Sequence, residues 1–186
     1  MEQKRSILRY VIFTGPSQAG KSTLASLLSS EFRSRGLTAM NDSFEMPMKH
    51  YLAMLFGQKL SLLPMEKPIS ELLSRTPRDF LNREAAHMRF SYGPGVLGKL
   101  LATRAKRWQR QPRYIIIDDG TSILDCRELG RYFLVHVNRD RVERVYPFSI
   151  PNAEMVVYND GTLEKLKLWA VKIADRVIAD ETGATP

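Results

Sequence analysis

Apolar residues along the chain fall into two alternating kinds of run. Short unbroken runs recur at 10–13 (YVIF), 37–40 (LTAM), 114–118 (YIIID), 132–137 (YFLVHV) and 154–158 (EMVVY). Runs of this kind suit strands covered on both faces. Between them the apolar positions recur at helical spacing. Leu24, Leu27, Leu28 and Phe32 share one face of a helix that stops at Gly36, and Leu163, Leu166, Trp169, Ile173 and Val177 form a stripe behind Thr162, which supplies an N-cap. Strands alternating with helices predict an α/β fold of three layers, with a mainly parallel five-stranded sheet at its centre. The interval from Pro47 to Pro112 holds no strand pattern. It predicts a helical insertion over about 44–111, interrupted near KLSLLPMEKP and SYGPG, where a substrate would be bound; residues 59–68, with two prolines and flanking lysines, read as a mobile loop.

Composition narrows the class. With 186 residues and 44% hydrophobic positions, the chain 1–186 is expected to form a single domain with a real core. No apolar stretch approaches the roughly 20 residues that cross a bilayer, and MEQKRSILRY lacks the apolar segment of a signal peptide. A cytoplasmic protein without a membrane partner is expected. The lone Cys126 excludes an internal disulfide and a cysteine-rich metal site, and reads as a buried structural residue. His50, His87 and His136 have no carboxylate or cysteine at ligand spacing. The net charge of +8 calls for a polyanionic partner. Its arginines are scattered rather than gathered in a tail or stripe, which favours a phosphate site over a nucleic-acid face; no nucleic-acid partner is expected, and a homodimer stays open.

The chemistry starts at IFTGPSQAGKSTL, residues 12–24. Gly15-x-x-x-x-Gly20-Lys21-Ser22 fits a phosphate-binding loop placed between a strand and a helix. In such a loop the backbone from Gly15 through Pro16, Ser17, Gln18, Ala19 and Gly20 to Lys21, Ser22 and Thr23 wraps the phosphates of ATP, the lysine ammonium neutralises their charge, and the serine hydroxyl helps hold Mg²⁺. A second acidic element is needed for the metal, and YIIIDDG provides Asp118 and Asp119 at a strand end. Adjacent strand residues point to opposite faces, so one of the two would face the nucleotide while the other meets solvent or caps a segment.

The insertion offers the phosphoryl acceptor its cations. In a helix starting near Thr76, Arg78 and Arg89 are three turns apart on one face, about 16 Å along the axis, with Arg83 displaced from it. Transfer between two phosphates needs cations on the acceptor as well as the donor, and no dedicated base when the acceptor is an ionised phosphate oxygen. After the fourth strand, NRDRVERVYPFSIPN carries Arg139, Arg141 and Arg144 ahead of a proline-bounded stretch. It is expected to form a lid over 139–153 that closes on ATP and brings an arginine, Arg139 or Arg141, to the transferring group.

GPSQAGKST, SFEMPMKHYLAMLFG, TPRDFLNREAAHMRFSYGPGVLGKLL, YIIIDDG and VVYNDGTLEKL together resemble the successive motifs of the phage-type deoxynucleoside monophosphate kinases, over nearly the whole chain. The resemblance implies ATP-dependent conversion of deoxynucleoside monophosphates to diphosphates. It implies that Ser43, Phe44, Pro47 and Lys49 border the monophosphate, that Arg78 and Arg89 face its phosphate, and that Asn159 to Thr162, with Gly161 among them, approach the nucleobase of ATP. Two positions depart from the family pattern. Asp119-Gly120-Thr121 stands where the family has Asp-Val-Arg, and Glu45 replaces a small residue. These departures leave two alternatives: a kinase for another small metabolite, or a module that binds nucleotide and transfers nothing.

Overall fold

The computed structural model describes residues 9–62, 64–69, 75–108, 112–140 and 153–182. Five strands, β1 (Arg9–Thr14), β2 (Ala39–Asp42), β3 (Tyr114–Ile117), β4 (Tyr132–Asn138) and β5 (Met155–Tyr158), form one sheet in the order β2-β3-β1-β4-β5. Every pairing is parallel, with Val11 opposite Ile116 on one side and Phe133 on the other. Parallel neighbours need crossover connections, and the helices that make them cover both faces.

Side chains alternate along β1 and so divide the core. Val11 and Phe13 join Ile116, Val135 and Val157 beneath α1 (Lys21–Ser34) and the last helix, α6 (Leu163–Thr182), which bury Leu24, Leu28, Phe32, Leu166, Ile173 and Val177. The Phe32 and Tyr114 rings stack at 4.1 Å between centroids. Tyr10 and Ile12 face the other way, with Ile115, Ile117 and Leu134, against α3 (Pro77–Tyr92), α4 (Val96–Lys106) and the short α5 (Ile123–Arg127). The buried Cys126 belongs to this layer, where burial first, then Asp125 and Asp119, push its thiol pKa up to about 12. The interval between β2 and β3 thus carries α2 (Met46–Leu55), a 3₁₀ turn at Leu60–Leu62, α3 and α4. The 3₁₀ turn gives part of the expected loop at 59–68 a regular form.

Two element expectations needed correction. The second strand starts two residues later than its apolar run suggests, because Gly36, at φ +73°, and the Leu37 N–H bond to the Phe32 carbonyl finish the α1 terminus first. The strand then runs through polar Asn41 and Asp42, and buried Asp42 is held by Arg104 at 3.0 Å. At the start of α6, Leu163 is exposed rather than part of the buried stripe. Among the described residues no helix is long and apolar enough to cross a membrane.

Candidate active site

The phosphate loop lies at the carboxyl end of β1, the central strand. Gly15 has φ +134°, and a Cβ there would lie 2.1 Å from the Val137 carbonyl oxygen of β4. Gly20 has φ +97°, with the Asn159 amide nitrogen 2.3 Å from the place of a Cβ. Both positions exclude any side chain. Gln18 is also left-handed, at φ +59°, a backbone state that concentrates at functional sites. Helix α1 opens at Lys21 behind Gly20, with no side-chain cap and no acid in its first turn. Its leading N–H groups and the positive end of its dipole are therefore available to an anion.

The loop is braced from outside. Asn159 donates from its amide to the Ala19 carbonyl at 2.8 Å, and Arg139 donates from Nη1 to the Gln18 carbonyl at 3.2 Å. Lys21 crosses the loop, donating to the carbonyls of Gly15 at 2.9 Å and Pro16 at 2.7 Å. Burial pulls its pKa below the ordinary lysine value, with Asp118 opposing that shift. Ala19 is buried under the loop. Of the residues expected near the nucleobase, Asn159 thus bonds the loop through its amide, and Gly161 is exposed beside Lys165.

A cavity of about 560 Å³ opens in front of the loop. It is lined by Ser17, Gln18, Gly20, Lys21, Ser22, Thr23 and Arg139 and by Glu45, Lys49, Glu66, Arg78, Asn82, Asp118, Asp119 and Thr121. The two aspartates do not face opposite ways. β3 ends at Ile117, so strand alternation no longer governs them, and both reach the cavity. They differ in their bonding. Asp119 is buried and accepts from the Ser43 hydroxyl at 2.5 Å, the backbone N–H groups of Phe44 at 2.9 Å and Glu45 at 3.2 Å, and Lys49 Nζ at 3.4 Å. Its carboxylate thus fastens the entry of α2 to the end of β3 while still lining the cavity. Asp118 makes no side-chain hydrogen bond or ion pair among the described residues. With the Ser22 hydroxyl in the same cavity it forms a hard oxygen pair suited to Mg²⁺ with phosphate oxygens. No larger cluster of potential metal ligands occurs among the described residues.

Helices α2 and α3 bring further charged side chains to the cavity. Thr76 caps α3 in a reciprocal pair with Asp79, which places Arg78 in the first turn, at the cavity. Arg78 pairs with Glu66 at 3.2 Å and stands 3.8 Å from Glu45. Lys49 accompanies it, donating to Ser43 Oγ at 2.7 Å. Arg89 does not line the cavity: it pairs with the fully buried Asp125 at 2.8 Å and reaches Thr121 Oγ1 at 3.3 Å, one residue behind the cavity wall. Asp125 also caps α4 through the N–H groups of Leu97 and Gly98. Phe44 belongs to the core, and Ser43 is buried as the link between Lys49 and Asp119, so neither borders the cavity. Pro47 lines a separate hollow of about 420 Å³ with Met40, Asp42, His50, Arg104 and Trp108.

Glu45 is the least expected occupant. Only 4% exposed, it has an Oε2 atom without a hydrogen bond, and burial and then Asp119 raise its pKa above the ordinary value, against Lys49 and Arg78. Reasoning from the sequence missed Asn82, although it stands one turn from Arg78 on the same helix face, and Asp125 and Glu66, whose partners are remote in sequence. The proposed lid lies almost wholly outside the described residues, as do Arg141 and Arg144; only Arg139 can be placed.

No protein-family model matches the sequence, and a search of curated proteins finds no sequence relative. Solved structures do match in shape. The Mycobacterium tuberculosis APS kinase in complex with AMPPNP and APS superposes with a TM-score of 0.52 at 12% identity, covering 91% of this chain and 96% of that one. The Acinetobacter baumannii shikimate kinase in complex with shikimate gives 0.40 at 11% identity, covering 96% and 95%. With a five-stranded parallel sheet and a glycine loop leading into α1 at its centre, the chain has the P-loop kinase fold.

Proposed function

We propose that this protein transfers the γ-phosphoryl group of ATP to a small acceptor, and that the acceptor is a deoxynucleoside monophosphate. One observation carries the transfer: the phosphate loop, Asp118 and the pair Lys49 and Arg78 line a single cavity. The chain's own groups supply positioning and charge. The α1 N-terminus and Lys21 hold the donor phosphates, Ser22 and Asp118 hold Mg²⁺, and Arg139 stands at the donor rim. Bound Mg²⁺ screens the donor phosphate oxygens. Lys49 and Arg78 draw in the acceptor phosphate, which as an ionised nucleophile needs no base. Asn82 adds an amide one turn along α3. The deoxynucleotide identity rests on the motif resemblance, and so does a setting in nucleotide metabolism in the cytoplasm.

A second acceptor is favoured by one residue. Glu45 puts a buried carboxylate between the two acceptor-side cations, an arrangement that suits a hydroxyl-bearing metabolite. A coupled assay of ADP release separates the readings. With ATP, Mg²⁺ and each of the common deoxynucleoside monophosphates, at least one is expected to stimulate ADP release well above the rate without acceptor. Stimulation only by nucleosides or other hydroxyl compounds would replace the acceptor assignment, and ATP binding with no turnover on any acceptor would leave a nucleotide-binding module.

A further inference from the structure

The proposed acceptor wall contains more negative charge than a phosphate site needs. Lys49 and Arg78 face three carboxylates, Glu45, Glu66 and Asp119, while Arg89 and Asp125 neutralise each other behind the wall. The three acids are not equivalent. Asp119 has its oxygens occupied by Ser43, two backbone N–H groups and Lys49. Glu66 is half exposed, so water screens it. Glu45 is buried, its Oε2 lies 4.0 Å from Lys49 Nζ and 3.8 Å from Arg78 Nη1 at distances too long for hydrogen bonds, and that oxygen has no other partner. Its backbone is fixed as well, by the bond from its N–H to Asp119.

Such a carboxylate has two consequences at once. It offsets the field of both cations where a phosphate would dock, in surroundings where charge interactions are stronger than in water. It also repels a second anion, the kind of asymmetry that yields large discrimination. We propose that Glu45 sets the acceptor class: its buried charge weakens the hold of Lys49 and Arg78 on a dianionic phosphate and so favours an acceptor that presents a neutral polar group there. This rests on the α2–α3 wall being the acceptor site and not on which acceptor is phosphorylated.

The test compares a nucleotide with its own nucleoside, dTMP with thymidine, by calorimetric titration of the whole chain. The ratio of the two dissociation constants isolates what the phosphate contributes. Glu45→Gln keeps the shape and removes the charge, and is expected to shift the ratio tenfold or more toward dTMP. Glu45→Asp should leave the ratio within about threefold of the parent, and Arg78→Gln should move it the opposite way. Circular dichroism confirms the fold, with Glu45→Ala in reserve should the glutamine variant fail. An unchanged ratio in Glu45→Gln, or no measurable binding of either probe to parent and variants alike, overturns the inference. ADP release measured on the same proteins keeps the two ideas apart. A shifted ratio without turnover on any acceptor would remove the kinase reading and leave Glu45 as the selector. Turnover with an unshifted ratio would do the reverse.

Discussion

The two ends of the parallel sheet use charge in opposite ways. At the amino ends of the strands, Arg9 of β1 is buried and bonds the Val177 carbonyl and Asp180 of α6; Arg113 and the Tyr114 hydroxyl meet Glu181 at 3.0 and 2.6 Å; Arg131 reaches Asp180 at 3.3 Å. These groups stitch α6 to the sheet, and Arg9 Nε is their one buried atom without a partner among those described. At the carboxyl ends, Lys21, Asp118, Glu45 and Arg78 converge on open volume, and the chain accepts a left-handed Gln18 and a buried Glu45 Oε2 without a hydrogen bond among the described residues. The lower end is organised for stability and the upper end for a ligand. Violations of local rules gather where function is.

That contrast is broken most severely at Lys21. Among the described residues its hydrogen bonds go to loop carbonyls alone, so Lys21→Ala should leave the melting temperature within a few degrees. Phosphoryl transfer should fall by about 10²–10³ or more, the scale of losing one placed cationic or donor group. Steady-state ADP release beside a thermal melt checks both halves. A folded variant with parental turnover would remove the upper end from the chemistry.

The mirror experiment is Asp180→Asn. Losing this carboxylate leaves the buried Arg9 guanidinium with a carbonyl bond and without its directly paired carboxylate, Glu181 and Glu154 acting on it only through their charge. A fully buried pair would cost about 3–5 kcal/mol to break; because Asp180 is itself half exposed, about 2 kcal/mol is expected by denaturant titration, with ATP affinity unchanged. A comparable loss of ATP affinity would mean that the two ends are coupled.

Much of this division was legible in the sequence, and the rest was hidden for identifiable reasons. The apolar runs marked all five strands because a sheet covered on both faces demands them, and the glycine loop was visible because its glycines are required by backbone geometry at Gly15 and Gly20. The helix expected from near Thr76 starts there, with that residue as its cap. What stayed hidden were contacts between remote partners. Ser43 and Asp119, read as substrate and metal residues, bond each other across 76 positions. Arg89 shares a helix with Arg78, but Asp125, 36 residues later, captures it. Periodicity reports which face a residue is on, not which partner reaches it first.

A smaller effect sharpens the contrast inside the site. Asp118→Asn should raise the Mg²⁺ concentration for half-maximal ADP release about tenfold, which corresponds to about 1.4 kcal/mol of binding. Asp119→Asn should instead lower thermal stability, because it weakens the bonds that anchor the start of α2. Equal Mg²⁺ shifts in the two variants would contradict the separate roles given to these neighbours.

The smallest expected effect concerns the stability cost of the Glu45 charge, read against pH. Burial, followed by Asp119, holds the pKa of its carboxyl above the ordinary 4.5, while Lys49, Arg78 and Arg89 pull it down. The unfolded chain releases this proton first as pH rises, so between the unfolded and folded pKa values the native state binds more protons and stability falls. Above that window the loss is complete; below about pH 4.5 both states are protonated and it vanishes. The amide introduced by Glu45→Gln does not titrate. The variant should therefore match the parent near pH 4 and be more stable at pH 7, by about 1 kcal/mol, the lower end of the range for a buried polar group lacking its hydrogen bond. Thermal melts of both proteins from pH 4 to 8 measure the difference. A variant that is less stable at pH 7 would show that attraction to Lys49 and Arg78 exceeds the desolvation of the carboxylate, and Glu45 would then belong with the stabilising ion pairs of the lower end.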